Sequence, residues 1–269
     1  MEENKKVSNY SMKELKEICR PKSYVKPDDN KVGLFSTNFS IYFTRLFLYT
    51  KITPDQITIL SVLVFFVGIS LLIFNNYIIN IVGSLVIFFS IILDGCDGEV
   101  ARYRRKHSEI KAGSNIGGLY VEPVSHDVQY AFAFLIIAYG LVIHGFPSYY
   151  YILGALAGIT KLLFRLLQQR ICLILGSNQV SKEEAIAMHS NLKKKSIWIR
   201  FIYRVNKNFF NNSGIFIVIF IFSLINRIDL VLWFFGVGYT LLWLAQFGKQ
   251  VIQIRELKKR NNNITVVTN

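Results

Sequence analysis

Apolar and polar residues fall in long alternating blocks along this chain, not in short periodic runs. Ile59 to Phe74 and Leu230 to Gly248 contain no charged residue. With their flanks, each approaches the ~20 residues needed to cross ~30 Å of hydrocarbon. Six such blocks predict membrane spans at about 54–74, 77–101, 117–145, 148–170, 213–227 and 230–252. Polar turns at Asn75-Asn76, Gly145 to Ser148 and Asn226 to Asp229 join them in pairs. Thr53-Pro54-Asp55-Gln56 reads as a helix start, with Thr53 as cap and Pro54 in the first position.

The flanks are of a different kind. Residues 1–36 are polar and contain Pro21 and Pro27, which predicts a cytoplasmic arm. Within it, Ser11 and Glu14 predict a capped helix running to Cys19. Phe39 to Tyr49 interleaves aromatic and polar residues between basic flanks, which predicts an interfacial helix over 37–50. Residues 173–212 form a cytoplasmic connection in which Glu183, Glu184, Ile186, Ala187 and Leu192 predict a short helix. Residues 253–269 form a basic tail. The expected fold is an all-α integral membrane protein. It has six transmembrane helices in a domain over 37–252, preceded by a juxtamembrane amphipathic helix.

Charge orients this layout. The chain carries 31 Lys and Arg against 17 Asp and Glu, a formal +14. Arg102, Arg104, Arg105, Lys106 and Lys111 follow the second span. Lys182, Lys193 to Lys195, Arg200, Arg204 and Lys207 follow the fourth, and Arg255, Lys258, Lys259 and Arg260 the sixth. The opposite turns hold only Arg227 and Asp229. Six spans with both termini in the cytoplasm follow from this asymmetry. The basic excess suits anionic lipid headgroups of a cell membrane. No recognition helix or aromatic RNA-binding pattern is present, so no nucleic acid partner is expected. The N-terminus lacks the apolar core of a signal peptide, so the first span is expected to direct insertion. Cys19, Cys96 and Cys172 form no CxxC and no His-paired zinc spacing, and Cys96 reads as a small apolar filler.

Chemistry concentrates at the end of the second span. Asp94 and Asp97 share one helix face where an uncompensated carboxylate costs several kcal/mol. At the start of the third span, Glu122 and His126 share a face at i, i+4. Two ligands from each of two neighbouring helices describe a divalent-metal site, and carboxylates suit Mg²⁺ or Mn²⁺. Gly98 and Ala101 leave room for a nucleobase or ribose against the backbone; close helix packing is the alternative. Arg102 can contact phosphate or pair with a site carboxylate. Glu99 points one helix step away from the Asp94–Asp97 face. Lys161 and Arg165, four residues apart in an apolar span, either bind a phosphate of the acceptor or lipid donor or snorkel to the surface. His144 reads as structural.

Asp94, Asp97, Gly98, Ala101 and Arg102, followed by Gly118, resemble the signature of the CDP-alcohol phosphotransferases, Asp-x2-Asp-Gly-x2-Ala-Arg, a gap, then Gly-x3-Asp-x3-Asp. The first half matches at every fixed position. The second departs: Glu122 stands at the third acidic position and His126 at the fourth. Fifteen residues separate Arg102 from Gly118, where the pattern has about eight. The resemblance implies that Asp94, Asp97 and Glu122 hold a metal that also binds the donor diphosphate. His126 would add a softer ligand and, by position, the general base. Asp127, ~100° further around the helix, is its rival. The implied nucleotide contacts are Gly98, Ala101, Arg102 and Gly118.

The implied reaction moves a phospho-alcohol from a CDP-linked donor to an acceptor alcohol, releasing CMP, at the cytoplasmic face. One partner is a lipid in many members, and the resemblance also implies a homodimer. Neither the donor nor the acceptor is specified by these residues. Two other classes compete: a non-catalytic or transporter-like protein retaining the fold, and a metal-dependent membrane phosphatase. The long Arg102–Gly118 loop either closes over the headgroup or is a tolerated insertion.

Overall fold

The structure is a computed structural model and describes residues 10–21, 31–107, 116–176, 205 and 208–267. Among the described residues the regular structure is helical, with no strand. The helices are α1 (Met12–Cys19), α2 (Lys31–Leu48), α3 (Pro54–Leu71), α4 (Tyr77–Lys106), α5 (Ile116–Ile143), α6 (Tyr149–Gly176), α7 (Asn212–Leu224) and α8 (Asp229–Val267).

Local chemistry accounts for the starts and stops. Ser11 and Glu14 form a reciprocal capping box on α1, and Thr53 and Gln56 form one on α3 with Pro54 inside the first turn. The turn between α3 and α4 places Asn75 in the left-handed region at φ 46°, and Asn76 then caps α4. Gly145 at φ 90° and Asn226 at φ 54° make the other two turns. All three fall where the polar turns were expected.

Five helical segments are long and apolar enough to cross a bilayer: Pro54–Phe74, Tyr77–Lys106, Tyr120–Ile143, Tyr149–Ile171 and Asp229–Arg255. The block predicted as a span over 213–227 is α7, whose 13 residues rise only ~20 Å against ~30 Å of hydrocarbon. Its ends explain its length. The Asn211 side chain accepts from Gly214 N at 2.8 Å, and the left-handed Asn226 breaks the chain after it. Two further boundaries differ from expectation. α2 begins at Lys31, inside the predicted arm, and α8 runs on through the predicted tail to Val267. The helix expected around 183–192 lies outside the described residues, as do Lys111 and the basic cluster between 182 and 204.

α4 is the hub, packing against α1, α2, α3 and α7. Its approach to α3 is backbone on backbone. A Cβ on Gly68 would lie 2.8 Å from Ile87 N and 2.9 Å from Gly83 O. Small residues at such crossings let membrane helices meet closely. Beside this pair, Phe134, Phe210, Phe235 and Tyr239 form an aromatic core with ring centroids 5.1–6.0 Å apart. Ile59, Leu63, Ile78, Val82, Ile152 and Leu241 instead face outward and exposed, as a lipid-facing belt requires. The last turns of α4 and the first of α5 thus sit at one end of the bundle.

Candidate active site between α4 and α5

α4 carries Asp94, Gly98 and Arg102 at i, i+4 and i+8, one above another on a single face. α5 brings His126 opposite. His126 Nε2 lies 3.7 Å from Asp94 Oδ1, beyond a hydrogen bond. That Asp94 oxygen is buried and makes no hydrogen bond. A buried carboxylate oxygen without a donor is costly unless a cation meets it. His126 Nδ1 is 3.3 Å from Gln129 Oε1, one turn along. Gln129 can hold Nδ1 as a donor through its amide oxygen, and Nε2 is the ring nitrogen turned towards Asp94 on α4.

Asp97 is buried and held from two sides. Thr58 Oγ1 on α3 donates to its Oδ2 at 2.5 Å, and the Gly98 amide donates to Oδ1. Glu122 is exposed at the rim. Among the described residues, no three His, Cys, Asp or Glu side chains are gathered as metal ligands. The donor chemistry nevertheless fits a hard divalent ion: three carboxylates, one with a buried oxygen that makes no hydrogen bond.

Asp94 and His126 also line a small, partly open pocket. Ser90 and Gln129 contribute polar groups, and Phe65, Ile91, Tyr130 and Ile215 contribute apolar walls. Gln129 and Thr58 had gone unnoticed in the sequence. The i, i+3 spacing of Gln129 from His126 was the available signal; nothing local marks Thr58.

The remaining predicted residues divide. Gly98 faces the guanidinium of Arg102: a Cβ there would lie 3.0 Å from Nη1. Arg102, expected to meet phosphate or a site carboxylate, donates from Nε to the carbonyl of Cys19. Ala101 and Gly118 are half-buried. Glu99 does point away from Asp94, as its register implied, and is buried against Arg20, Ser40 and Thr44. Arg104, counted as a surface charge, donates to the Thr50 and Ile52 carbonyls at 2.9 and 2.7 Å and clamps the α2–α3 connection.

Both cations, expected either to bind a phosphate or to snorkel to the surface, find partners within the protein. Lys161 is buried; its Nζ donates to the Phe210 carbonyl at 2.6 Å and lies 4.6 Å from the Tyr130 and Tyr239 ring centres. Arg165 Nε is 2.5 Å from Asp127 Oδ1, and its Nη2 donates to the Pro123 carbonyl at 3.2 Å.

The sequence model of the CDP-alcohol phosphatidyltransferase family matches residues 51–188, just over half of the chain. That stretch includes both halves of the motif and Thr58, Asp94, Asp97, Glu122, His126 and Gln129 of the α4–α5 site. No curated protein sequence matches the chain significantly.

Proposed function

The chain belongs to the CDP-alcohol phosphatidyltransferase family, and from that premise we propose that it joins an acceptor alcohol to the phospho-alcohol of a CDP-linked donor at the α4–α5 site. Family membership implies phospho-alcohol transfer from a CDP-alcohol in phospholipid synthesis, generally with a divalent metal. Asp94, Asp97 and Glu122 would hold Mg²⁺ or Mn²⁺, with His126 adjoining. A divalent ion held there would supply the positive charge that lets a donor pyrophosphate approach the carboxylates.

The chain's own groups do the rest. Gly98, Ala101 and Gly118 leave room for the nucleotide, and Arg102 meets its phosphates. The acceptor hydroxyl enters the pocket beside Asp94. Its proton passes to His126 Nε2 as its oxygen bonds to the β-phosphorus, and the bond from that phosphorus to the bridging oxygen of CMP breaks. Gln129 holds the imidazole in the tautomer that can accept. The basic loops support a cytoplasmic site, reachable by a soluble nucleotide and a lipid together, in a multi-pass protein of the cell membrane. A homodimer is part of the same reading.

The observation that carries this proposal is the buried Asp94 oxygen that makes no hydrogen bond, beside His126 Nε2, in a small pocket that both residues line. Purified protein should release CMP from a radiolabelled CDP-donor only with a matching alcohol and a divalent ion. A panel of alcohols and CDP-lipids identifies the pair. Release without alcohol would mark a phosphatase instead. Failure of both CDP and Mn²⁺ to raise the melting temperature would mark a non-catalytic protein that retains the fold.

A further inference from the structure

α1 ends directly over the motif. Leu15 and Cys19 are fully buried and pack with Ile41 of α2 and Tyr103 of α4. Tyr10 places its hydroxyl 3.0 Å from His107 Nε2. The next residue after the helix, Arg20, donates from Nε to Glu99 Oε1 at 2.6 Å and from Nη2 to Ser40 Oγ at 2.8 Å. The second Glu99 oxygen accepts from Thr44 Oγ1 at 2.6 Å. The Glu99 side chain is 2% exposed and that of Arg20 13%. This is a buried ion pair with its hydrogen bonds made. Such pairs are weak evidence for stability and better evidence for fixing one arrangement over another.

What the arrangement fixes is Arg102. Its Nε donates to the Cys19 carbonyl, one residue before Arg20. Its guanidinium then lies over Gly98, with Nη1, Nη2 and Cζ at 3.0, 3.5 and 3.6 Å from where a Cβ would be. Gly98 is the next step on the face that begins at Asp94. An arm that served only to cover apolar surface would not need an ion pair at its last residue, nor a carbonyl directed at a motif arginine.

We propose that the segment Met12–Arg20 is a working part of the nucleotide site. Arg20 and the Cys19 carbonyl are positioning groups that hold the Arg102 guanidinium across Gly98, in line with the donor diphosphate. This rests on the reading of Gly98 and Arg102 as nucleotide contacts. A pre-oriented guanidinium binds phosphate without first losing its rotamer freedom. Linkage then requires the converse: bound nucleotide must tighten α1 on α4 by the same factor.

Cys19 supplies the readout, because its buried thiol reacts only when α1 lifts. The full-length protein in detergent is treated with a maleimide, with the labelled peptide identified by mass spectrometry. CDP affinity is measured in the same preparation with Mn²⁺. In the wild type, CDP should slow Cys19 labelling. In Arg20→Gln, labelling should speed up and CDP affinity fall about tenfold, while kcat at saturating donor changes little. Arg20→Lys should recover part of the affinity. If Arg20→Gln does not fold, Tyr10→Phe loosens α1 from its other end and should move both readouts in the same direction. Faster labelling with unchanged CDP affinity overturns the positioning role and leaves the proposed function standing. A wild type that binds no CDP overturns both.

Discussion

Arg165 Nε on α6 lies 2.5 Å from Asp127 Oδ1 on α5. The carboxylate next to His126 in sequence is therefore turned towards α6, while His126 faces Asp94 on α4. Two candidates for the base that were adjacent in the chain are separated by function-relevant direction. His126→Ala should lower kcat by about 100-fold or more, the range of a lost general base. Asp127→Asn should leave most of the rate and lower the melting temperature by a few degrees. CMP release and thermal unfolding of the two variants check this, and the opposite pattern would move the base to Asp127.

Thr58 ties α3 to the site through its 2.5 Å bond to Asp97 Oδ2. Thr58→Val keeps the shape and removes the donor. A buried acceptor left unmet costs about 1–3 kcal/mol, and the freed carboxylate loses its fixed direction. The variant should need several-fold more Mn²⁺ for half-maximal activity, read by metal titration. EDTA should abolish activity in both variant and wild type.

Lys161 answers to the Phe210 carbonyl and two aromatic rings, not to an open surface. Lys161→Met should therefore destabilise the bundle, because the Phe210 carbonyl loses its strong donor. The KM for donor and acceptor should change less than about threefold. A large rise in KM with an unchanged melting temperature would instead assign Lys161 to a substrate phosphate.

Gly68 tests the packing that carries the site. A methyl group there would press on the backbone of Ile87 and Gly83 at 2.8–2.9 Å, where no flexible side chain can yield. Gly68→Ala should cost about 1–3 kcal/mol, the range for overpacking, measured by thermal or denaturant unfolding in detergent.

Burial and the nearby Glu99 carboxylate push the Cys19 thiol up from 9.0 to about 12. The released arm would ionise above about pH 9, while the docked arm would not until about 12. Between these values the released form binds fewer protons, so docking weakens as pH rises, up to about tenfold per unit. Below that window this group has no effect. Proteolytic protection of α1 between pH 8 and 10.5 should show the slope, and Cys19→Ala should remove it.

What could be read from the chain beforehand follows the reach of each interaction. Ser11 with Glu14 and Thr53 with Pro54 are contacts within one turn, and both helix starts appear where those residues predict them. The paired motif halves are also local, each a face of one helix. Thr58 with Asp97 and Arg20 with Glu99 are 39 and 79 residues apart, and no spacing rule announces them. Glu99 was readable as facing away from Asp94, but not as the counter-ion of a residue in the arm. Hydropathy found α7 but overstated its length, because apolar composition does not register the Asn211 cap or the left-handed turn at Asn226.

The Arg20–Glu99 pair has a practical consequence. Polar leaders ahead of a first membrane crossing are routinely trimmed to help crystallisation or expression. Cutting this one after residue 20 would strip Glu99 of its Arg20 counter-ion and leave the Ser40 and Thr44 hydroxyls to shield it. A shortened protein that proves sluggish or fragile would then report on the scissors, not on the enzyme.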